Sequence, residues 1–368
     1  MPIPIVDSHI HLFPESHLPT LAWYGPGSPL GSQHSVDEYR LATSSISTTA
    51  DTADPTYLRG FIFLETDRIS SVEEAGGGWS HALDEVSLIT RIITGTPVAG
   101  EGHRDQDRHL CLGFAPWAPV PGGPAALQKY MGLVRERTKT DDVWKKLRGV
   151  RYLFQDKPKG VMLQDDVVEG LKWLGREKLA FDLGVDARLG GSWQLREAVE
   201  MMRRVYDGVK EDEKVVILLS KADEHADHLC KPNLRLPDPS HASVTTHPEF
   251  LEWSSLVTAM AQYPNTYMKL SGGFSELPPV SSDAEPDIAS IVERIRPWTD
   301  VVFNTFGAER VMFGSDWPVC NVGGGGNEGT WRRWKNVVES ILEKRQLTAE
   351  QQRGIWGGVA VKAYGVEI

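Results

Sequence analysis

The stretch LAFDLGVDARLGGSWQLREAVEMMRRVYDGVKEDEKVVILLS, residues 179–220, reads as strand, helix, strand. LAFDLGVD (179–186) and KVVILLS (214–220) are short apolar runs without strict polar alternation. Such runs suit parallel strands buried on both faces. Between them, QLREAVEMMRRVYDGV (194–209) puts Leu195, Val199, Met202, Val205 and Val209 on one helical face. A buried strand, a crossover helix and a second buried strand make one βαβ unit.

Working outward, the same unit recurs. Further buried runs are IPIVDSHIHL (3–12), YLRGFIFLE (57–65), HLCLGFAPW (109–117), LRGVRYLF (147–154), TYMKLSG (266–272) and RVMFGSD (310–316). Helical patterns lie near 125–137, 166–176, 247–262, 286–298 and 331–343, and Thr348 in LTAEQQ can cap a C-terminal helix. Eight strands alternating with helices predict an α/β fold, a (β/α)8 or TIM barrel, as one domain over residues 1–368. The stretches 13–56 and 66–108 exceed one crossover helix and are rich in Ser, Thr, Gly and Pro. They are expected as long loop insertions after strands one and two.

The net charge of −11 argues against nucleic acid, whose phosphates need a basic face, and against an anionic membrane. Three cysteines, an odd and small count, predict reduced thiols in a reducing compartment. MPIPIVDSHIHLF lacks the basic and long apolar regions of a signal peptide, so the expected location is the cytoplasm.

A barrel of this kind carries its chemistry at the C-terminal ends of its strands. Strand one ends in DSHIHL, where His9 and His11, two apart, point to one side and can chelate a divalent metal. Strand eight ends in FGSDWP, and Asp316 there can bind metal or take a proton from water. Closure of a barrel makes strands one and eight neighbours. Glu65, ending strand two, either reaches the site or pairs with a cation. Asp182 should point inward, where a buried acid needs a partner. Lys269 suits a substrate contact or an ion pair. Trp117 and Trp317 offer aromatic faces for a sugar. GGGG (323–326) is expected as a flexible loop or lid.

VDSHIHLF (6–13) with VMFGSDWPV (311–319) resembles the amidohydrolase superfamily, in its amidohydrolase-2 branch. GFAPWAPV, LRGVRYLFQDKP, LAFDLGVD, DHLCKP and KLSGGFSE are similar to sugar-lactone hydrolases of the L-rhamnono-1,4-lactonase and L-fuconolactonase type. The resemblance implies hydrolysis of an aldonolactone to the aldonate. It carries over His9 and His11 as the strand-one pair, Asp316 as general base, His228 as the mid-barrel histidine and Arg151 as a substrate or oxyanion contact. The implied cofactor is one divalent metal, zinc first, with metal-independent hydrolysis as the alternative. The implied partner is a small sugar lactone; a homo-oligomer is left open. Rival readings are a metal-dependent decarboxylase of the same branch and an impaired barrel that only binds.

The segment KADEHADHLC (221–230) departs from the branch pattern, because residues 219–226 read as an insertion between strand six and DHLCKP. The motif selects His228 over His225. Either the insertion loops out and returns His228 to the rim, or His228 is displaced. A separate metal site from Asp223, His225 and Asp227 competes with a plain solvated loop.

Overall fold

The computed structural model describes residues 1–188, 190–220, 230, 232–236, 241–277 and 287–368. Eight strands run in chain order: β1 Ile3–Ile10, β2 Thr56–Leu64, β3 Cys111–Ala115, β4 Gly149–Leu153, β5 Ala180–Gly184, β6 Ile217–Ser220, β7 Thr266–Ser271 and β8 Val311–Gly314. Seven fall inside a run that the sequence marks as buried, and β2 begins one residue before its run. They form parallel ladders β1-β2-β3 and β4-β5-β6-β7-β8.

Two seams join the ladders. At the first, Phe114 N donates to Lys146 O (2.8 Å) and Arg151 N to Pro116 O (2.9 Å). At the second, Asp316 N donates to His9 O and His11 N to Trp317 O, each at 2.8 Å, while Ser8 Oγ donates to Phe313 O at 2.6 Å. The ring is thereby the (β/α)8 barrel that the strand pattern predicts.

Crossover helices pack outside it. The helix Trp193–Tyr206 is shorter than its sequence pattern: Val209 falls beyond it and Val199 is half-buried. The buried stripe is Leu195, Ala198, Met201, Met202 and Val205, which lies closer to the barrel wall. The stretches expected as loops hold helices too. Val36–Ala42 follows β1, and the 15-residue Ser80–Thr94 follows β2. The second is a true crossover helix, with Leu83, Val86, Ile89, Ile92 and Ile93 buried. Its β-branched run has weak helix propensity, and tertiary burial overrides that. No helix among the described residues is long and apolar enough to cross a membrane.

The barrel floor is closed by the end of the chain. Thr348 accepts a hydrogen bond from Gln351 N and opens a helical run that ends in the helix Val359–Tyr364. Val359, Ala360, Ala363 and Tyr364 pack against Val6, Ile62, Leu112, Ala180, Leu218, Tyr267 and Met312 inside the barrel. Gly357 permits the approach: a Cβ there would lie 2.8 Å from Pro4 O.

Candidate active site

The site begins with an acid that sequence reasoning passed over. Asp7, buried in β1, accepts from Ser315 N (2.7 Å), Trp331 Nε1 (2.9 Å) and the Tyr39 hydroxyl (3.0 Å). Burial raises its pKa, and these donors oppose the rise. The bonds fix the turn after β8. Asp316 sits on that turn with φ of 59°, a left-handed conformation that L residues other than Asn and Asp seldom adopt. Its N–H is bound to β1 and its carbonyl accepts from Cys320 N at 3.0 Å. The carboxylate is thereby held beside the two imidazoles.

His9 Nε2 and His11 Nε2 lie 3.1 Å apart. Asp316 Oδ1 lies 3.1 Å from the first and 3.3 Å from the second. All three residues are buried. His11 Nδ1 faces the carbonyl oxygens of Glu65 (2.8 Å) and Leu64 (3.2 Å). Burial, aided by Lys269, pushes the pKa of His9 well below the usual histidine range, against the pull of Asp316.

A second layer of charge lies next to this cluster. Lys269 Nζ, on β7, is 3.4 Å from His9 Nδ1 and hydrogen-bonds Asp182 Oδ2 on β5. Burial lowers the Lys269 pKa to about 8, although Asp182 works to raise it. Arg151, on β4, places Nε 3.6 Å from Asp182 Oδ1 and Nη1 3.7 Å from Glu65 Oε1. Buried ions of both signs alternate here, the condition under which their lost hydration is offset. The expectation that Asp182 points inward and needs a partner is met. Of the two readings of Lys269, the structure shows the ion pair.

Of the two readings of Glu65, the structure shows pairing with a cation: its carboxylate accepts from Asp67 N at 2.6 Å and faces Arg151. Other expectations are corrected. Trp317 is buried, its indole N–H donates to Asn327 Oδ1 (2.7 Å), and it packs against Tyr39 and His34. Trp117 packs on Tyr130 and Tyr152. Both serve packing rather than sugar stacking. The glycine run is a fitted turn: a Cβ at Gly324 would meet Cys320 O at 2.5 Å, and Arg333 donates to Gly324 O. Asp223, His225, Asp227 and His228 lie outside the described residues, as does most of the segment 219–226. Cys111, Cys230 and Cys320 are free and buried, and burial pushes Cys111 to about 11 and Cys230 to about 12, so neither of these two is a thiolate near neutrality.

Glu85, on the helix after β2, also escaped the sequence. It accepts from Arg68 Nε (2.9 Å) and Thr66 N (3.1 Å), fixing the segment that leaves β2.

The donor set of His9, His11 and Asp316 suits a divalent cation. Three such atoms about 3 Å apart surround a point about 2 Å from each, near the bond length of zinc to imidazole nitrogen or carboxylate oxygen. Among the described residues this is the one cluster with that spacing.

A closed parallel barrel with this strand-end His-His-Asp cluster defines an α/β-barrel protein with a candidate metal-binding mouth. The chain belongs to the amidohydrolase family. The family model for amidohydrolases matches residues 235–366. The chain is 34% identical to an L-rhamnono-gamma-lactonase of Scheffersomyces stipitis over 364 residues, 98% of each sequence. It is 28% identical over 224 residues to an L-fucono-1,5-lactonase of Burkholderia multivorans, covering 60% of this chain and 64% of that one. An amidohydrolase from Burkholderia multivorans, solved with bound zinc, shares the fold with a TM-score of 0.62 at 22% identity, over 99% of both chains.

Proposed function

We propose that the protein hydrolyses a sugar-acid lactone to the open aldonate, with Asp316 as general base. The observation that carries the reading is the buried Asp316 carboxylate, held 3.1 Å from His9 Nε2 at the end of the last strand. The full-length lactonase relative supplies the substrate class.

In this reading a water adds to the ring carbonyl while Asp316 takes its proton. Charge builds on the carbonyl oxygen, and Arg151 is the cation assigned to it. The tetrahedral centre then collapses, the carbon–oxygen bond of the ring breaks, and Asp316 returns its proton to the leaving ring oxygen. One water is consumed and the base is restored. A lactone is a reactive ester, so modest electrostatic help suffices. His9, His11 and Asp316 would hold one divalent cation, with zinc the first candidate. When bound, such an ion polarises a carbonyl and acidifies water. Free buried cysteines support a reducing, cytoplasmic setting.

The test is a panel of aldonolactones with a pH indicator, with and without chelator. Acid release from a six-carbon deoxy-aldonolactone is expected. No turnover of any lactone, together with carbon dioxide release from a hydroxybenzoate, would overturn the reading in favour of a decarboxylase. Loss of rate with chelator and its return with zinc would establish the metal.

A further inference from the structure

A cavity lies beneath the barrel, at the end opposite to the His9–His11–Asp316 cluster. It has a volume of about 570 Å³ and lies where β4 and β5 begin, beside the helices Gly123–Thr138 and Asp165–Arg176. Leu147 and Leu179, which lead into those strands, line it. A further cavity of about 360 Å³ shares Arg148, Lys178 and Leu179 with it and runs past Val215 and Val216 to Tyr364 of the floor helix.

The lining combines flat rings with positive charge. Trp144 and Trp173 line the larger cavity. So do four cations, Arg135, Lys145, Arg148 and Lys178, against one acid, Glu177. Lys214 and Lys362 line the smaller one, against Asp212. This is a cationic cleft in a chain whose net charge is −11.

Much of that charge is not answered within the protein. Arg148 Nε is buried without a hydrogen-bond partner. Burial lowers the pKa of Arg148, with Glu367 opposing the fall from beyond ion-pair distance. Lys145 makes no ion pair among the described residues. Lys178 Nζ donates to the carbonyl oxygen of Asp212, which leaves its charge uncancelled. Lys178 also holds a left-handed conformation, φ 57°, where a helix end usually carries glycine. Arg135 is the exception: it pairs with Asp141 and lies 5.4 Å from the centre of the Trp144 ring. Trp173 is half-buried and, unlike Trp317, Trp331 and Trp334, packs on no other ring among the described residues.

We propose that this cleft binds a nucleoside polyphosphate, with the base on Trp173 and the phosphates on Arg148, Lys145 and Lys178. Indole faces hold flat aromatic rings, nucleic bases included. A buried guanidinium donor without an acceptor calls for an anion. Three uncancelled cations suit a group with several negative charges close together. A sugar acid carries one charge and would leave most of them unanswered. The larger cavity falls in the range of small-molecule sites, about 300–1,000 Å³. The wall shared at Arg148 and Lys178 sets the phosphate end beside the cavity that Lys214 and Lys362 line. Neither cavity is lined by a histidine or a cysteine, so the role assigned is binding and not chemistry. The inference does not depend on the lactonase reading.

The full-length protein, freed of metal with chelator so that no cation in the mouth can attract phosphate, is titrated with ADP by calorimetry. Adenosine, inorganic pyrophosphate and gluconate are the comparisons. ADP should bind roughly 10-fold or more tighter than either of its halves, because it alone reaches the ring and the cations together. Trp173→Leu keeps apolar bulk and removes the ring. It should weaken ADP roughly 10-fold and leave pyrophosphate unchanged. Lys145→Glu alters an exposed residue, which folding tolerates, and should weaken both ADP and pyrophosphate. Asp316→Asn, at the far end of the barrel, should bind ADP as wild type does. No heat of binding at about 5 mM ADP, a concentration that detects even millimolar affinity, overturns the proposal. Pyrophosphate binding as tightly as ADP, or gluconate doing so, overturns the assigned ligand class. Loss of ADP binding in Asp316→Asn places the nucleotide at the mouth and overturns the site. If Trp173→Leu does not fold, an ADP affinity unchanged in Lys145→Glu overturns it as well.

Discussion

Ala180 and Asp182 stand two residues apart on β5, on the same side of the strand, yet they live under opposite rules. Ala180 belongs to the apolar floor with Val6, Ile62, Leu112, Leu218 and Met312. Asp182 belongs to the charged mouth with Lys269 and Arg151. In the floor, what counts is volume: any well-packed apolar group that fills the space holds the barrel together. In the mouth, what counts is identity: each ion is tolerated only because a particular partner faces it, and removing one strands the other. The same strands thus supply stability at one end and give some of it up at the other. The difference teaches where damage should be looked for, in the melting curve or in the rate.

Asp316→Asn is the strongest way to break the comparison. It keeps the shape and removes the base, so lactone turnover should fall roughly 10²- to 10⁴-fold. The melting temperature should not drop, because a buried charge is lost and an acceptor for His9 remains. A variant that unfolds while keeping its rate per folded molecule would show that the mouth is structural after all.

Leu218→Ala probes the floor. Leu218 is fully buried in the floor cluster, and truncation should cost about 2–5 kcal/mol in urea unfolding. The kcat of the folded protein should stay near wild type. A large fall in kcat at unchanged stability would erase the division between the halves.

The smallest and most diagnostic effect is that of acid. Burial lowers the pKa values of His9, His17 and His34, with His17 brought to about 4. The unfolded chain takes up protons near pH 6.5 where the folded protein refuses them. Stability contributed by these groups is therefore present above about pH 6.5 and is lost as pH falls toward about 4. Asp7, raised by burial, has the opposite sign, its share being lost as pH rises through its folded value. Because three histidines oppose one acid, the urea midpoint should decline from pH 7.5 to pH 5, with the same slope in Leu218→Ala. A midpoint that is flat or rises over this range would mean that these buried histidines do not govern the response to acid.

Much of this was legible in the chain. Parallel strands buried on both faces appear as continuous apolar runs, so all eight could be placed within a few residues. His9, His11 and Asp316 were legible because strand ends and barrel closure make them neighbours. Partnerships were not. Asp7 meets Trp331 across 324 residues and Asp182 meets Tyr364 across 182. An inward carboxylate advertises that it needs a donor and says nothing about which one arrives. Trp317 looked like a sugar platform because sequence shows an aromatic ring without showing that Tyr39 and His34 already cover it. The helix Ser80–Thr94 was hidden within a stretch rich in Ser, Thr, Gly and Pro, and its own β-branched residues favour strands in isolation.

Ser8 and Phe313 touch across 305 residues of chain, and the ribosome makes them far apart in time. At roughly 5–20 residues per second, about 15 to 60 s separate their synthesis. Until β8 emerges, β1 has a bare edge able to pair with another nascent chain, and its two histidines have no carboxylate beside them. The newborn protein is therefore at once unable to work and prone to stick. Both conditions end together when the seam closes, and no shorter piece of the chain holds the ingredients on both sides of it.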